Sequence, residues 1–394
     1  MKEKPDLIQL VGNYLFMLLI FLFVADPTNT IFGLKNVAFV ILVLYSAVFM
    51  KIEWSKLVYF LIPIIVVSIS WVIALMQGEY VDLMVLKDLY FSFSPLLLLL
   101  WIKQYDVIRL AILPVTSVAI IVLLLFWLIF FYNEFEAPIF LFMTQHDETI
   151  MMSNRAFIGF KVFCMYPKSA VSFLPIFGFV LYKTFVGGKG RIMYAIISIV
   201  LLHLFLISGT RSSVLLPILL VGILILIYCR NGRYMRYLVY PGVLLFSIAF
   251  FVLLAILLME EDEPSNLVKY AHLASYKKLF EANPEYLIFG QGPATEFYSE
   301  GFRGMAIRTE WTYIELIRNF GILCLPILYV IFLPMYKMLR VADKCDSALA
   351  IASSFFIYLI IAGTNPLLIS STGMLVLLSM YSFSEKMMTQ AYEE

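Results

Sequence analysis

The sequence predicts an all-α integral membrane protein, with about 12 transmembrane helices and two long extracytoplasmic loops. Three observations predict it. Apolar residues make up 62% of the chain and charged residues only 14%, and the mean hydropathy is +0.94. That balance leaves too little polar surface to cover a soluble domain. The apolar residues fall into runs of helical length, and the Lys and Arg residues collect in alternate gaps between the runs.

A bilayer core about 30 Å thick requires about 20 apolar residues per helical crossing, because a helix satisfies its own backbone polar groups. Crossings are expected near 8–24, 37–50, 57–76, 84–102, 107–132, 164–182, 192–208, 213–229, 237–259, 311–336, 347–362 and 372–384. Lys2 and Lys4 precede the first run and Ala25-Asp26-Pro27 follows it, without a small-residue cleavage site. A retained span is therefore expected in place of a removed signal peptide.

Cationic loops stay on the cytoplasmic side. One set of gaps holds Lys51 and Lys56, Lys103 and Arg109, Lys183, Lys189 and Arg191, Arg230, Arg233 and Arg236, Lys337, Arg340 and Lys344, then Lys386. The short gaps between them carry only Lys35, Lys87 and Arg211. Both termini are thus expected in the cytoplasm, and the long connections 133–163 and 260–310 on the outer face of a single polytopic domain spanning 1–394.

Other classes are not favoured. A net charge of +1 with scattered cations gives no basic surface for nucleic acid. The four cysteines show no paired spacing that would hold zinc or frame disulfides. HExxH, P-loop and post-strand GxGxxG motifs are absent, so the sequence implies no metal and no cofactor. Glu260-Glu261-Asp262-Glu263-Pro264 reads as a solvated linker, because consecutive acids point in different directions. From Leu267 to Phe280 the apolar positions Leu267, Tyr270 and Leu273 suggest an amphipathic helix lying along the membrane face, ended by Asn283-Pro284.

Three motifs recur at loop-to-helix junctions. They are Ser208-Gly209-Thr210-Arg211-Ser212-Ser213, then Phe289-Gly290-Gln291-Gly292-Pro293, then Glu310-Trp311-Thr312-Tyr313-Ile314 running into Asn319-Phe320-Gly321-Ile322. Over roughly residues 150 to 340 their order resembles the O-antigen polymerase and ligase superfamily, the Wzy-type polysaccharide polymerases in particular. The resemblance implies a GT-C-like, metal-independent glycosyltransferase of the bacterial inner membrane, with its active site on the periplasmic face. It also implies an undecaprenyl-diphosphate-linked oligosaccharide as substrate, membrane lipid as surroundings and a chain-length regulator protein as partner. Ligases resemble one another in a His-Asn pair where this chain has Glu310-Trp311, which favours the polymerase. Lys269 and His272 stand where many relatives carry an Arg and an aromatic residue.

The chemistry assigns roles. Displacing a polyprenyl diphosphate builds charge on the leaving oxygens, and guanidinium forks match phosphate. Arg211 is the first choice, since it opens a helix in a gap otherwise poor in cations and the helix start adds donors. Arg155 and Arg308 come next, one from each long loop, ahead of Arg303. Lys168 in Tyr166-Pro167-Lys168 is a further phosphate contact. A sugar hydroxyl needs a base, and Glu310, before an apolar helix where desolvation would raise its pKa, is expected to serve, with His272 as the alternative. Glu315 and Arg318 stand one turn apart as an ion pair, mainly architectural with a share in glycan contact. Tyr298, Trp311 and Tyr313 are candidates for stacking on sugar rings. Two other readings stay open: an O-antigen ligase acting on a lipid A core, and a lipid-linked oligosaccharide flippase or transporter, whose ionisable groups would sit near the midplane.

Overall fold

The computed structural model describes residues 7–132, 136–146, 149–157, 160–188, 190–209, 211–229, 241–242 and 264–393. Helices dominate, and the only described strands form two small antiparallel hairpins. The elements in order are α1 (Leu7–Ala25), α2 (Lys35–Phe49), α3 (Leu57–Met76), α4 (Leu83–Ser92), α5 (Val107–Phe131) and α6 (Glu136–Gln145). The first hairpin pairs β1 (Ile150–Phe157) with β2 (Phe160–Pro167). Then come α7 (Leu174–Val186), α8 (Arg191–Ile207), α9 (Arg211–Cys229), α10 (Pro264–Ala282) and α11 (Tyr286–Phe289). The second hairpin, β3 (Phe297–Ser299) with β4 (Gly304–Ala306), leads into α12 (Thr312–Phe320), α13 (Cys324–Arg340), α14 (Asp346–Gly363) and α15 (Ser371–Glu393).

Among the described residues, 8 helical segments are long and apolar enough to cross a membrane, and Lys35–Phe49 and Arg191–Ile207 are shorter apolar helices. The protein is a multi-pass membrane protein. Its outward face agrees with that: along α3, Leu61, Ile65, Ile69, Val72 and Leu75 are all exposed, a stripe that only lipid can cover without cost. The segment expected at 237–259 lies outside the described residues except for 241–242.

Local chemistry moves several expected boundaries. The run 84–102 is not one regular helix. α4 stops at Ser92 and a 3-10 segment, Ser94–Trp101, continues it. Pro95 has no N–H to give, and Ser92 and Ser94 bond back to the carbonyls of Asp88 and Phe91. The start of the expected span at 164 is instead strand β2, and the crossing begins at Lys168. An apolar run such as Phe160 to Pro167 is ambiguous between strand and helix by pattern alone. The expected helix at 311–336 is broken at Gly321, whose φ of +53° ends α12 before α13 resumes the path.

Polar contacts divide the molecule into two ends. At one end Lys56 and Lys337 each reach Glu385 at 2.6 Å, Lys103 reaches Glu53 at 2.8 Å, and Lys386 reaches Asp106 at 2.7 Å. At the other, Thr28 meets Thr149, Lys35 meets Ser371, Asp82 N–H donates to Ala294 O, and Thr312 reaches the carbonyls of Ala362 and Asn365. Each of these contacts joins gaps, or the ends of crossings beside them, that the charge pattern places on the same side. The second end carries α10, α11 and the β3-β4 hairpin, and the site is there.

Candidate functional site

Glycine fixes the position of the loop. Gly290 ends α11 at a φ of +78°, and a Cβ there would stand 2.6 Å from Asn319 O. A Cβ on Gly321 would strike Ile288 O in return. The two glycine motifs therefore cross backbone against backbone, which only residues without side chains permit. Gly292, at a φ of +113°, lies against Ala74 of α3. Gln291 N–H donates to Arg318 O at 2.6 Å, so the loop is bonded to α12 at the crossing.

This crossing surrounds Arg318, which is fully buried. A guanidinium out of water must have every donor met. Nε donates to Glu315 Oε2 at 3.0 Å, and Nη2 stands 2.9 Å from the same oxygen. Nη1 donates to Gln291 Oε1 at 2.8 Å and to Thr295 Oγ1 at 3.1 Å, and Nη2 donates to Ile307 O at 2.6 Å. The Phe297 ring lies 4.7 Å away from the cation's centre, and Tyr276 stacks on Phe297. Glu315 Oε1 accepts from Tyr276 O–H and from Thr309 N–H at 3.0 Å. Burial, aided by the Glu315 charge, pushes the Tyr276 phenol far above its ordinary range, so it stays protonated and donates. The pair thus knits α10, the Gly-rich turn, the β3-β4 hairpin and α12 into one body.

Arg308 is different. It is exposed, and it has no hydrogen-bond or ion-pair partner among the described residues. Even so, the surrounding protein pulls its guanidinium pKa below the ordinary value through burial, partly opposed by the charges of Glu315 and Asp88. Asp88 of α4, itself exposed, also acts electrostatically on Lys35 at the start of α2. Asp88 thus lies within electrostatic reach of both Lys35 and Arg308.

No family model and no curated protein matches the chain.

The expected site residues divide into several groups. Glu315 and Arg318 form the buried ion pair. Arg308 lies within electrostatic reach of both. Glu310 pairs with Lys269 at 3.3 Å and its side chain is 41% exposed, so the carboxylate is not in the desolvated setting expected of it; it faces solvent at the start of α12. His272 is fully buried, with Nδ1 2.7 Å from Ser299 Oγ, Nε2 without a partner and the Phe302 ring edge-on. Burial lowers its pKa against the pull of Glu310 and Glu315. A Cβ on Gly301 would come within 2.5 Å of the ring, so the hairpin closes over it.

Trp311 donates from Nε1 to Lys269 O at 3.1 Å, and Tyr313 donates to Leu359 O at 2.9 Å while its ring fills the space beside Gly363. Both rings are engaged in packing α12 against its neighbours. Tyr298 is exposed on β3 and free to stack. Lys168 is half-buried at the start of its 3-10 turn, and its backbone N–H donates to Thr149 O at 2.9 Å. Arg211 is the first residue of α9, which packs on α14 and α7, and Arg155 stands opposite Val162 in the β1-β2 hairpin. The side chains of Arg211 and Arg155 lie outside the described residues, as does the acidic run at 260–263.

The amphipathic helix exists, but its buried stripe is not the expected one. Leu267 and Tyr270 are exposed, while His272, Ser275 and Tyr276 face inward. Each inward group finds a polar partner: Ser299, the Glu300 N–H and Glu315. Hydropathy alone cannot report that choice. Lys35 and Asp88 were also missed as members of the site, although a charged Lys87-Asp88 step inside an apolar run was visible.

Proposed function

We propose that this protein is a membrane glycosyltransferase that extends a surface polysaccharide, moving glycan from an undecaprenyl-diphosphate-linked donor onto the non-reducing end of a lipid-linked repeat-unit acceptor. The observation that carries the reading is Arg308, an exposed guanidinium without a hydrogen-bond or ion-pair partner among the described residues. It is held beside a fully satisfied Arg318–Glu315 hub at the end of an apolar bundle. A guanidinium whose donors are unclaimed, where helices leave the hydrocarbon, suits a lipid-borne diphosphate.

On this reading the acceptor hydroxyl attacks the donor sugar at C1 and gives its proton to a carboxylate. The bond from C1 to the diphosphate oxygen breaks, and the lipid diphosphate leaves with the electron pair. Arg308 stabilises the charge that grows on those oxygens, a kind of contribution worth about 3 to 4 kcal/mol per donor in comparable sites. Glu310 is the base, with Lys269 orienting it at 3.3 Å. Glu315 and Asp88 are the carboxylates whose charge acts on Arg308. Arg211 and Arg155 complete the clamp, Lys168 contacts lipid phosphate, and Tyr298 offers a ring to the glycan. Twelve crossings, a GT-C-like arrangement, cytoplasmic termini and an outer-face site in the bacterial inner membrane belong to the same proposal.

The test is direct. Purified protein is incubated with undecaprenyl-diphosphate-linked repeat units and the products are resolved by length. A ladder of lengths supports the reading, while a single transfer to a lipid A core acceptor without a ladder would reassign it as a ligase. No transfer to either acceptor would overturn it.

A further inference from the structure

The end of the bundle opposite the hub holds a second set of charges, and one part of it is unbalanced. Lys56, Lys337 and Lys103 have carboxylate partners. Beside them, between the first turn of α5, the last turn of α7 and α15, lies a cavity of about 110 Å³ whose wall includes Asp106, Arg109, Lys183, Ser347, Lys386 and Gln390. That is several times the space one water needs. Three cations here face one carboxylate. Asp106 takes Lys386 Nζ at 2.7 Å and Arg109 Nε at 3.2 Å. Lys183 has no carboxylate partner among the described residues: its ammonium lies 5.7 Å from the centre of the Phe179 ring, and the charges of Arg109 and Lys386 oppose it.

We propose that this cavity binds a phosphate group, in particular the phosphodiester of an anionic lipid. A cation repelled by two others and paired with no carboxylate favours an anion, and a neutral or cationic ligand would leave the repulsion standing. The donor set fits a tetrahedral oxyanion: a guanidinium fork from α5, ammonium groups from α7 and α15, and the hydroxyl of Ser347 and amide of Gln390 on the same wall. α5 begins at Val107 and α7 ends at Val186, so the cavity lies where these helices leave the hydrocarbon. Basic pockets between helices at that level suit lipid headgroups. The site is at the other end of the bundle from Arg308 and stands independently of the glycosyl-transfer reading.

The full-length protein, purified in neutral detergent, is titrated with short-chain phosphatidylglycerol, with phosphatidylcholine of the same chains and with inorganic phosphate, and bound ligand is counted by native mass spectrometry. Phosphatidylglycerol is expected to bind at least tenfold more tightly than phosphatidylcholine. Arg109→Gln with Lys183→Gln is expected to weaken it by about fivefold per cation removed, while Lys103→Gln, outside the cavity, changes nothing. Lys183→Gln alone removes only an unpaired charge, so it is the variant to use if the pair does not fold. Competition by inorganic phosphate identifies the phosphate group itself as the ligand, and its absence assigns the whole headgroup; either outcome supports the site. Equal affinity for the two lipids without phosphate binding, or a preference that survives loss of both cations, overturns it.

Discussion

Removing the charge of Glu315 without changing its shape is the sharpest test of how the loop is held. Glu315→Gln leaves the Arg318 guanidinium in place, fully buried, with its strongest acceptor neutralised. Breaking one side of a buried ion pair costs about 3 to 5 kcal/mol, because the remaining charge cannot reach water. The pair ties α10, the Gly290 turn and the second hairpin to α12, so the cost falls on opening of the 264–311 segment. Lys277 and Lys278 are solvent-exposed but lie within α10, and a helix must open before a protease can cut it. Trypsin cleavage limited by that opening tracks its free energy. Glu315→Gln should therefore speed cleavage in α10 by about 10² to 10³-fold or more, until the open form predominates. Arg318→Met should act comparably, and the double variant should cost clearly less than the sum of the two, since no lone charge remains. A rise of under tenfold in Glu315→Gln, or strict additivity in the double variant, would show that the pair does not hold the hub.

Further outcomes follow from the same geometry. Gly290→Ala and Gly321→Ala each drive a methyl into backbone and should abolish monodisperse protein on gel filtration, whereas Gly33→Ala, at a φ of +67° in open space, should cost only about 1 to 2 kcal/mol and still purify. Arg308→Ala should lower the rate of glycan elongation by about 10² to 10³-fold while leaving trypsin resistance of α10 intact, since Arg308 holds nothing in place; equal loss of resistance would make it structural. For His272, burial sets the folded pKa below the unfolded value near 6.5. The unfolded state then binds the extra proton, so the stabilisation is fully present above about pH 6.5 and declines as pH falls through that value. Protease resistance of α10 should weaken from pH 7.5 to pH 5.5, and His272→Gln should flatten that dependence.

Most of the membrane layout was legible because hydrophobic run length answers directly to bilayer thickness. The expected 107–132 and α5, Val107–Phe131, agree almost to the residue. Boundaries failed where backbone chemistry overrides hydropathy, at Pro95, at Gly321 and at the strand Phe160–Pro167. The site was legible in part. Glu315 and Arg318 announced a pair by spacing, and the glycine motifs announced special backbone. That Gly290 and Gly321 answer each other across the fold was not visible, because each motif alone states only that a side chain is forbidden. Tyr276, Gln291 and Thr295 were missed for a related reason: an ordinary polar residue becomes part of a buried cage only once a charge needs it.

The contrast between the two loop arginines ties structure to the proposed chemistry. Arg318 has partners on all three nitrogens and has none left for a ligand. Arg308, ten residues earlier in the same connection, has its donors unclaimed and feels the charge of Asp88. Had the roles been shared, ligand binding would have competed with folding, since each phosphate bound would strip a bond from the hub. Separating them lets the loop stay closed whether or not diphosphate is present, with the donors of Arg308 still open. That division predicts that lipid-linked donor, added to the intact protein, leaves cleavage in α10 unchanged while shielding Arg308 from arginine-specific dicarbonyl reagents; protection of α10 by the donor would place the ligand on the hub instead.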